Sequence, residues 1–422
     1  MTTRQQIGPT DVAAKPHGLN GLMRLARALA ASRGRTLAAL GIAALGIAAV
    51  PFARAHLQAI AILDQVAGQP VPRPIATLVT EPIQTSDFAI PIEAASGQQQ
   101  QIRARLYLPA AKPNAPTLIV FHGVHHLGID EPRLVSFARA MASCGIRVVT
   151  PELPGIKDYQ VNPDSVRAIG ESAKWFATHS ETGVSTPVGV LALSFSGGLA
   201  LVAAADPRYH PYFKFVFAIG SQYAMDNVAA YYTSGRDPRP DGSIEVLPAH
   251  EYGPLVLEYE HLEDFVPAAD LLPVRAVLRA RLYEDKAAEA QASLALNPRQ
   301  KLETLELIDT TLLSTRTKID AMIARHADEL PAVSPRNRLR TLATPVYLLH
   351  GEADNIIPSA ETLWIASELP SSDLKAMLVS PILSHIDITG PNPTALDRYR
   401  LIHLFALVLR ATEAQPDAIQ PQ

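Results

Sequence analysis

Apolar residues follow two rhythms along this chain. From about residue 117 to 220 they come in four short unbroken runs, TLIVFHG (117–123), IRVVTPE (146–152), VGVLALS (188–194) and KFVFAIG (214–220), each closed by Gly, Pro or Ser or by a charged residue after Pro. Unbroken runs of this length predict strands buried on both faces, as in a parallel sheet. The stretches between them, 131–144, 163–179 and 197–205, read as helices. Strand and helix in alternation predict an α/β fold with a doubly wound, mostly parallel sheet. Upstream, SDFAIPIEA and QIRARLYLP predict an antiparallel pair, the second alternating Ile102, Ala104, Leu106 and Leu108 with polar neighbours. The strand rhythm stops after Gly220. Residues 222–340 hold no convincing strand of this kind and are rich in helix formers from Ala268 to Leu330, which predicts a helical insertion. The sheet pattern resumes with TPVYLLHG (344–351) and KAMLVS (375–380), separated by a helix at 359–369 and followed by an amphipathic helix at about 394–411.

The N-terminal end is different in kind. Residues 1–36 hold six basic side chains and one acidic one, so they carry +5 while the rest of the chain carries −9. The run LAALGIAALGIAAVPFA (37–53) follows with no charge. A bilayer-spanning helix needs roughly 17–25 apolar residues, and this run sits at the lower limit. Three readings fit it: an uncleaved membrane anchor, a cleaved export signal using Ala53-Arg54-Ala55, and a helix of a soluble domain. The anchor is favoured because 36 residues make a long basic region for a signal. Either export reading leaves the basic end in the cytoplasm and everything after residue 55 outside it. Residues 55–67 look helical, and QPVPRP reads as a stiff extended spacer. The expected organisation is therefore a basic cytoplasmic segment (1–36), an anchor or signal (37–55), a Pro-rich tether (56–82), a first core part (83–221), a helical cap (222–340), a second core part (341–411) and a disordered tail (412–422).

Composition narrows the function. With 422 residues and 48% hydrophobic positions there is material for a large core, and a net charge of −4 gives no reason to expect nucleic acid as a partner. The single cysteine, Cys144, excludes an internal disulfide and a thiolate metal cage, and its place before Gly145 suggests a small buried apolar residue.

The chemistry is concentrated at the strand ends. In VGVLALSFSGGLALVAAADP a strand runs into serine and a helix leaves at once, the strand–turn–helix context of a nucleophile elbow. Small residues must lie two before and two after the nucleophile. Ser194 has Ala192 and Ser196 there, and the alternative nucleophile Ser196 has Ser194 and Gly198. Ser194 is preferred because Val188, Val190 and Ala192 lead straight into it. LLHGEADNIIP places Asp354 after a strand, with Glu352 as a rival, and LVSPILSH places His385 after the next, with Asp387 nearby. Ser, Asp, His in that chain order is one of the known orders of a catalytic triad. FHGVHHLGIDEPR follows the first buried strand, and the backbone N–H groups of Val124 and Phe195 are the expected oxyanion donors. His122, His125 and His126 with Asp130 or Glu131 raise a metal reading, but the spacing matches no metal motif. His122 more naturally braces the loop. Tyr223, Tyr231, Tyr232 and Tyr252 line a pocket or simply pack, and HEYG (250–253) stays unassigned.

From about residue 83 to 410 the chain resembles the α/β-hydrolase-fold serine hydrolases of the dienelactone-hydrolase and esterase-like branch, through His122-Gly123, LALSFSGG, HGEADNIIP and the loop histidine His385. It departs from them in having Ala192 and Ser196 where glycines are usual. The resemblance implies Ser194 as nucleophile, His385 as general base and Asp354 as its orienting acid, with no cofactor, no metal and a small-molecule ester or lactone as substrate. It also implies that residues 222–340 form a cap that lies over the site and shapes the acyl pocket. The same triad would serve an acyltransferase with an alcohol acceptor, and an inactive hydrolase fold would serve as a binding module at a membrane.

Overall fold

The computed structural model describes residues 49–94, 96–179, 187–385 and 393–414. The chain divides into two units, Met1–Ala53 and Arg54–Gln422, and the account below concerns the second. Most of the apolar run 37–53 lies outside the described residues; among those that are described, no helix is long and apolar enough to cross a membrane.

Eight strands form one sheet: β1 (Ile83–Glu93), β2 (Gln99–Pro109), β3 (Thr117–Phe121), β4 (Arg147–Pro151), β5 (Val188–Leu193), β6 (Phe213–Ile219), β9 (Val346–Gly351) and β10 (Leu374–Ser380). Their order is β1-β2-β4-β3-β5-β6-β9-β10. β1 and β2 form an antiparallel edge, β2 pairs antiparallel with β4, and every pair beyond is parallel. β3, β5, β6 and β9 are mostly apolar because helices cover both faces, as the unbroken runs predict, with Lys214 in β6 and His350 in β9 as exceptions. Side chains alternate across the sheet: Ile119, Val190 and Ala192 enter one core with the helices α5 and α6, while Leu118, Leu191, Phe217 and Leu349 enter the other. β4 and β5 lie on opposite sides of β3. The crevice where the connections part is at the C-terminal ends of β3 and β5, the place where open α/β sheets hold their ligands.

The helices of the second unit begin with residues 54–66 (α1) and α2 (Arg73–Val79). Then come α3 (Pro132–Ser143), the short α4 (Pro154–Lys157), α5 (Pro163–Thr178) and α6 (Phe195–Ala205). Between β6 and β9 lie α7 (Met225–Ser234), α8 (Tyr252–Glu260), α9 (Leu271–Leu282), α10 (Lys286–Leu294), α11 (Pro298–Ile308) and α12 (Leu313–Arg325). The same stretch holds a two-strand hairpin, β7 (Arg236–Pro238) with β8 (Ile244–Val246), which the helical reading of 222–340 does not include. α13 (Ala360–Glu368) and α14 (Ala395–Glu413) complete the chain, so the last helix extends past residue 411 into the stretch expected to be a tail.

The tether expected at 56–82 is corrected by packing. Ala55, Ala59 and Ile62 recur at helical spacing, and with Val79 they are buried in the same apolar core as Leu134, Phe137, Leu404 and Phe405 of α3 and α14. Gln58 donates to the Cys144 carbonyl at 2.6 Å, and His56 meets His403 at 3.1 Å. The proline cluster is confined to a short connection that turns into α2, with Pro72 capping and Pro74 in its first turn, where a missing N–H costs nothing. These residues are part of the folded body.

A chain beginning at residue 70 should therefore be less stable than one beginning at residue 54. Burying Ile62 alone contributes about 1.5–3 kcal/mol, and with the alanines a fall of roughly 5–10 °C in melting temperature is expected. Equal melting temperatures for the two chains would show that α1 is not a structural element.

Candidate functional site

The elbow is built by a strand that cannot continue and a helix that starts at once. β5 ends at Leu193, α6 starts at Phe195, and Ser194 between them has φ 56° and ψ −136°. Its N–H donates to the Ile219 carbonyl at 2.8 Å, and its own carbonyl accepts from Gly197 N–H at 2.9 Å. Close approach dictates the neighbouring residue: a Cβ on Gly123 would lie 3.2 Å from the Ser194 Cβ. Ser196 is fully buried and faces away, donating its hydroxyl to the His122 carbonyl at 2.6 Å. Of the two candidate serines, Ser194 is the one that meets a base.

That base comes from the far end of the chain. His385, after β10, accepts the Ser194 hydroxyl proton at Nε2 over 3.0 Å and donates from Nδ1 to Asp354 Oδ2 at 2.7 Å. Asp354, on the loop after β9, has no exposed surface, and its Oδ1 accepts from the N–H groups of Ile356 at 2.9 Å and Ile357 at 3.0 Å. Burial alone would raise its carboxyl; the neighbouring His385 and His350 outweigh this and hold it well below the usual carboxylate range. An ionised Asp354 can only accept, so Nδ1 of His385 carries the proton and Nε2 presents its lone pair to serine. His350 is a partner the sequence reading did not include. It lies 3.3 Å from Asp354 Oδ2 and is oriented by Thr362 and the Ile357 carbonyl. Glu352, the rival acid, is exposed, and Asp387 lies outside the described residues. Gly220 passes close beside the pair with φ +62°, and a Cβ there would lie 3.5 Å from Asp354 Oδ2.

The loop after β3 brings the third component. His122 is buried, and burial pushes its imidazole down to about 4, so the ring is neutral. Nε2 accepts from Leu153 N–H at 2.9 Å, which leaves the proton on Nδ1 to donate to the Gly123 carbonyl at 2.8 Å. In a trans peptide the N–H points opposite to the carbonyl. Fixing the Gly123 carbonyl therefore fixes the direction of the Val124 N–H. The Val124 carbonyl is held in turn by the Tyr252 hydroxyl at 3.0 Å. Phe195 is the first residue of α6, where N–H groups have no partner within the helix.

The other loop residues are engaged elsewhere. His125 stacks on His126, which stacks on Tyr283 of the insertion at 4.3 Å between ring centres. Asp130 pairs with Arg103 and Arg105, while Glu131 caps α3 at Leu134 N–H and pairs with Arg133. Among the described residues the one grouping of metal-ligating type is His261, Asp264 and His326, in the insertion. Its Asp264 already pairs with Arg325 and His326.

A cavity of about 600 Å³ opens beside Ser194 and His385. The insertion contributes His250, Tyr252, Leu282, Tyr283 and Glu284 to its lining. Of the four tyrosines singled out in the sequence, only Tyr252 lines it; Tyr231 and Tyr232 are buried, and Tyr223 donates to Glu368. HEYG also gains a role, since His250 N–H donates to the Asn355 carbonyl beside Asp354. Part of the lining departs from the expectation of a pocket shaped by the cap: Leu63, Val66, Phe137, Leu401 and Phe405 come from α1, α3 and α14.

Comparison of the fold places it among known architectures. The chain is similar to the rice cell wall degrading esterase LipA from Xanthomonas oryzae, with 12% identity, 80% of this chain and 92% of that one covered, and a TM-score of 0.50. It is also similar to a hyperthermophilic esterase from Pyrobaculum calidifontis (18% identity, 79% and 85% covered, TM-score 0.42) and to an acylaminoacyl peptidase from Pyrococcus horikoshii (11% identity, 80% and 41% covered, TM-score 0.43). The chain spans between 36% and 45% of the length of the matched chains described as peptidases. No family model and no curated protein matches the sequence. The fold is that of the α/β-hydrolases.

The state of His122 has a consequence in acid. An unfolded imidazole takes up a proton below about pH 6.5, whereas the folded ring resists it down to about 4. Stability is therefore expected to fall as pH drops from 6.5 towards 4, by roughly 3 kcal/mol from this ring. Urea unfolding across that range would measure the loss, and an NMR titration would assign it. A ring that titrates near 6.5 in the folded protein would contradict the brace.

Proposed function

We propose that this chain is a serine hydrolase that cleaves carboxylic esters, lactones included. One observation carries the reading: a serine in a strained elbow, hydrogen-bonded at 3.0 Å to an imidazole whose other nitrogen is held at 2.7 Å by a buried, ionised aspartate. Ser194 Oγ attacks the ester carbonyl carbon and its proton passes to His385 Nε2. The carbonyl oxygen gains the negative charge and is stabilised by the N–H groups of Val124 and Phe195. As the C–O bond breaks, His385 returns the proton to the departing alcohol and an acyl-serine remains. Water then attacks the acyl carbon, giving its proton to His385, and the acid leaves as Ser194 recovers its hydrogen. Asp354 stays ionised throughout and holds the imidazole tautomer. The chain's own residues suffice for every step.

Ester rather than peptide is supported by the cavity. A peptide carries an N–H and a carbonyl at each residue, and these need partners when buried. Leu63, Val66, Phe137, Ile219, Leu401 and Phe405, which line this cavity, offer only hydrocarbon.

Labelling with a small fluorophosphonate tests the reading. Ser194→Ala should abolish the adduct, while Ser196→Ala should keep it with turnover lowered about tenfold through the loosened His122 loop. Asp354→Asn should lose about 10³–10⁴ in kcat from the wrong tautomer. An unlabelled wild-type protein, or a labelled Ser194→Ala, would defeat the assignment.

We further propose that the N-terminal segment anchors the enzyme in a membrane with the hydrolase on the extracytoplasmic side, a reading supported by the +5 charge of residues 1–36 ahead of an uncharged run. The full chain should then resist carbonate extraction from membranes, and a chain beginning at residue 54 should be released. Mature protein beginning at His56 would mean a cleaved signal instead.

A further inference from the structure

The cavity has two unlike sides. Toward the insertion and the β3 loop it is edged by rings and ionisable groups, including His125, Tyr252 and Glu284, and the paired Glu131 and Arg133 line it at the start of α3. On the other side its walls are Leu63 and Val66 of α1, Phe137 of α3, Leu401 and Phe405 of α14, and Ile219 at the end of β6. Pleating sends Ile219 to the sheet face that packs against α1, α3 and α14, so this side runs from the serine into that helical layer. The helix α1 has a divided surface. Ala55, Ala59 and Ile62 are buried in the core, whereas Leu63 and Val66, one turn apart on the neighbouring stripe, are half-buried at the cavity. Water held among these six side chains would find no hydrogen-bond partner on them, and a polar substrate group placed there would lose its own. Hydrocarbon displaces that water favourably.

We propose that this arm receives an unbranched hydrocarbon chain carried by the ester, which makes α1 a specificity element of the site. The proposal rests on the reading of Ser194 as nucleophile. The size of the chain follows from volume. Dividing the 600 Å³ equally between the two sides, at about 30 Å³ for each water-sized methylene, gives a chain of roughly ten carbons. The geometry gives the chemistry of this group and leaves two places for it, on the acyl carbon or on the alcohol oxygen.

Two ester series test the proposal in the full-length enzyme: p-nitrophenyl esters from acetate to dodecanoate, and acetates of straight-chain alcohols from methyl to dodecyl. In one of the two, kcat/KM should climb up to about fourfold per methylene, the value of a buried CH₂, and level off near ten carbons. A climb in the first series places the chain on the acyl side, and a climb in the second places it on the alcohol side; either supports the arm. Leu63→Trp and Leu401→Trp narrow the arm from different helices. Each should lower the ratio of ten-carbon to acetate turnover at least tenfold. Leu63→Ala, which only removes volume, should shift the optimum to longer chains, so an answer remains if a tryptophan variant fails to fold. Labelling by a small fluorophosphonate reports on Ser194 independently. If the wild type is not labelled, the nucleophile assignment fails. If it is labelled and turns over acetate, but neither series climbs and the variants leave the ratio unchanged, the hydrocarbon arm is overturned.

Discussion

The backbone of Ser194 is the constraint on which the site depends. A non-glycine residue at φ 56° and ψ −136° costs of order 1–3 kcal/mol and persists only where its surroundings leave no alternative. Here β6 takes its N–H, the first turn of α6 takes its carbonyl, and the β3 loop passes so near that residue 123 has no room for a side chain without displacement. The reward for this strain is placement. The hydroxyl is lifted off the strand end to within 3.0 Å of His385, and α6 begins at the very next residue. A relaxed turn would return the hydroxyl to the sheet.

Charge in the site is arranged with the same economy. Asp354 is buried and ionised because two imidazoles and two backbone N–H groups surround it. His122 is buried and neutral because loss of solvent penalises the charged ring by more than the Gly123 carbonyl favours it, and the Leu153 N–H occupies the lone pair on Nε2. Two histidines within one crevice are thus given opposite tasks by the groups they face. One is turned toward the Ser194 hydroxyl, and the other holds a peptide still. The insertion joins this scheme through Tyr252 on the Val124 carbonyl and through Leu282, whose carbonyl accepts from Tyr159 at 2.8 Å. Through Tyr252 it grips the loop after β3 as well as lining the cavity.

The sheet was legible because burial on both faces leaves an unbroken apolar run, and no helix produces so short a run between turn residues. Ser194, Asp354 and His385 were legible because strand ends advertise the loops that follow them. What the sequence concealed has physical causes. α1 follows an uncharged run and precedes three prolines, so its local context suggests a continuing membrane helix and a spacer, while the partners that bury Ala55, Ala59 and Ile62 are on α3 and α14, hundreds of residues away in the second case. The β7–β8 hairpin has three residues a strand and largely exposed side chains, too few for any period to register. His350 gave no signal because it sits inside β9, where an apolar residue was the natural reading. Tyr252 acts through one hydroxyl, which no spacing rule can place.

The contact of His56 with His403 spans 347 positions. α1 is synthesised before any strand of the sheet, yet the surface it packs against is finished only when α14, the last helix, has docked. Closing so large a loop is entropically expensive and slow, so the sheet and the elbow can assemble on a growing chain while this wall of the cavity stays open. Until then α1 has only the part of this core that α3 and the sheet supply. In the proposed hydrolase, α1 and α14 would then complete the hydrocarbon-lined wall after the elbow that carries Ser194, and their contact would close the binding site.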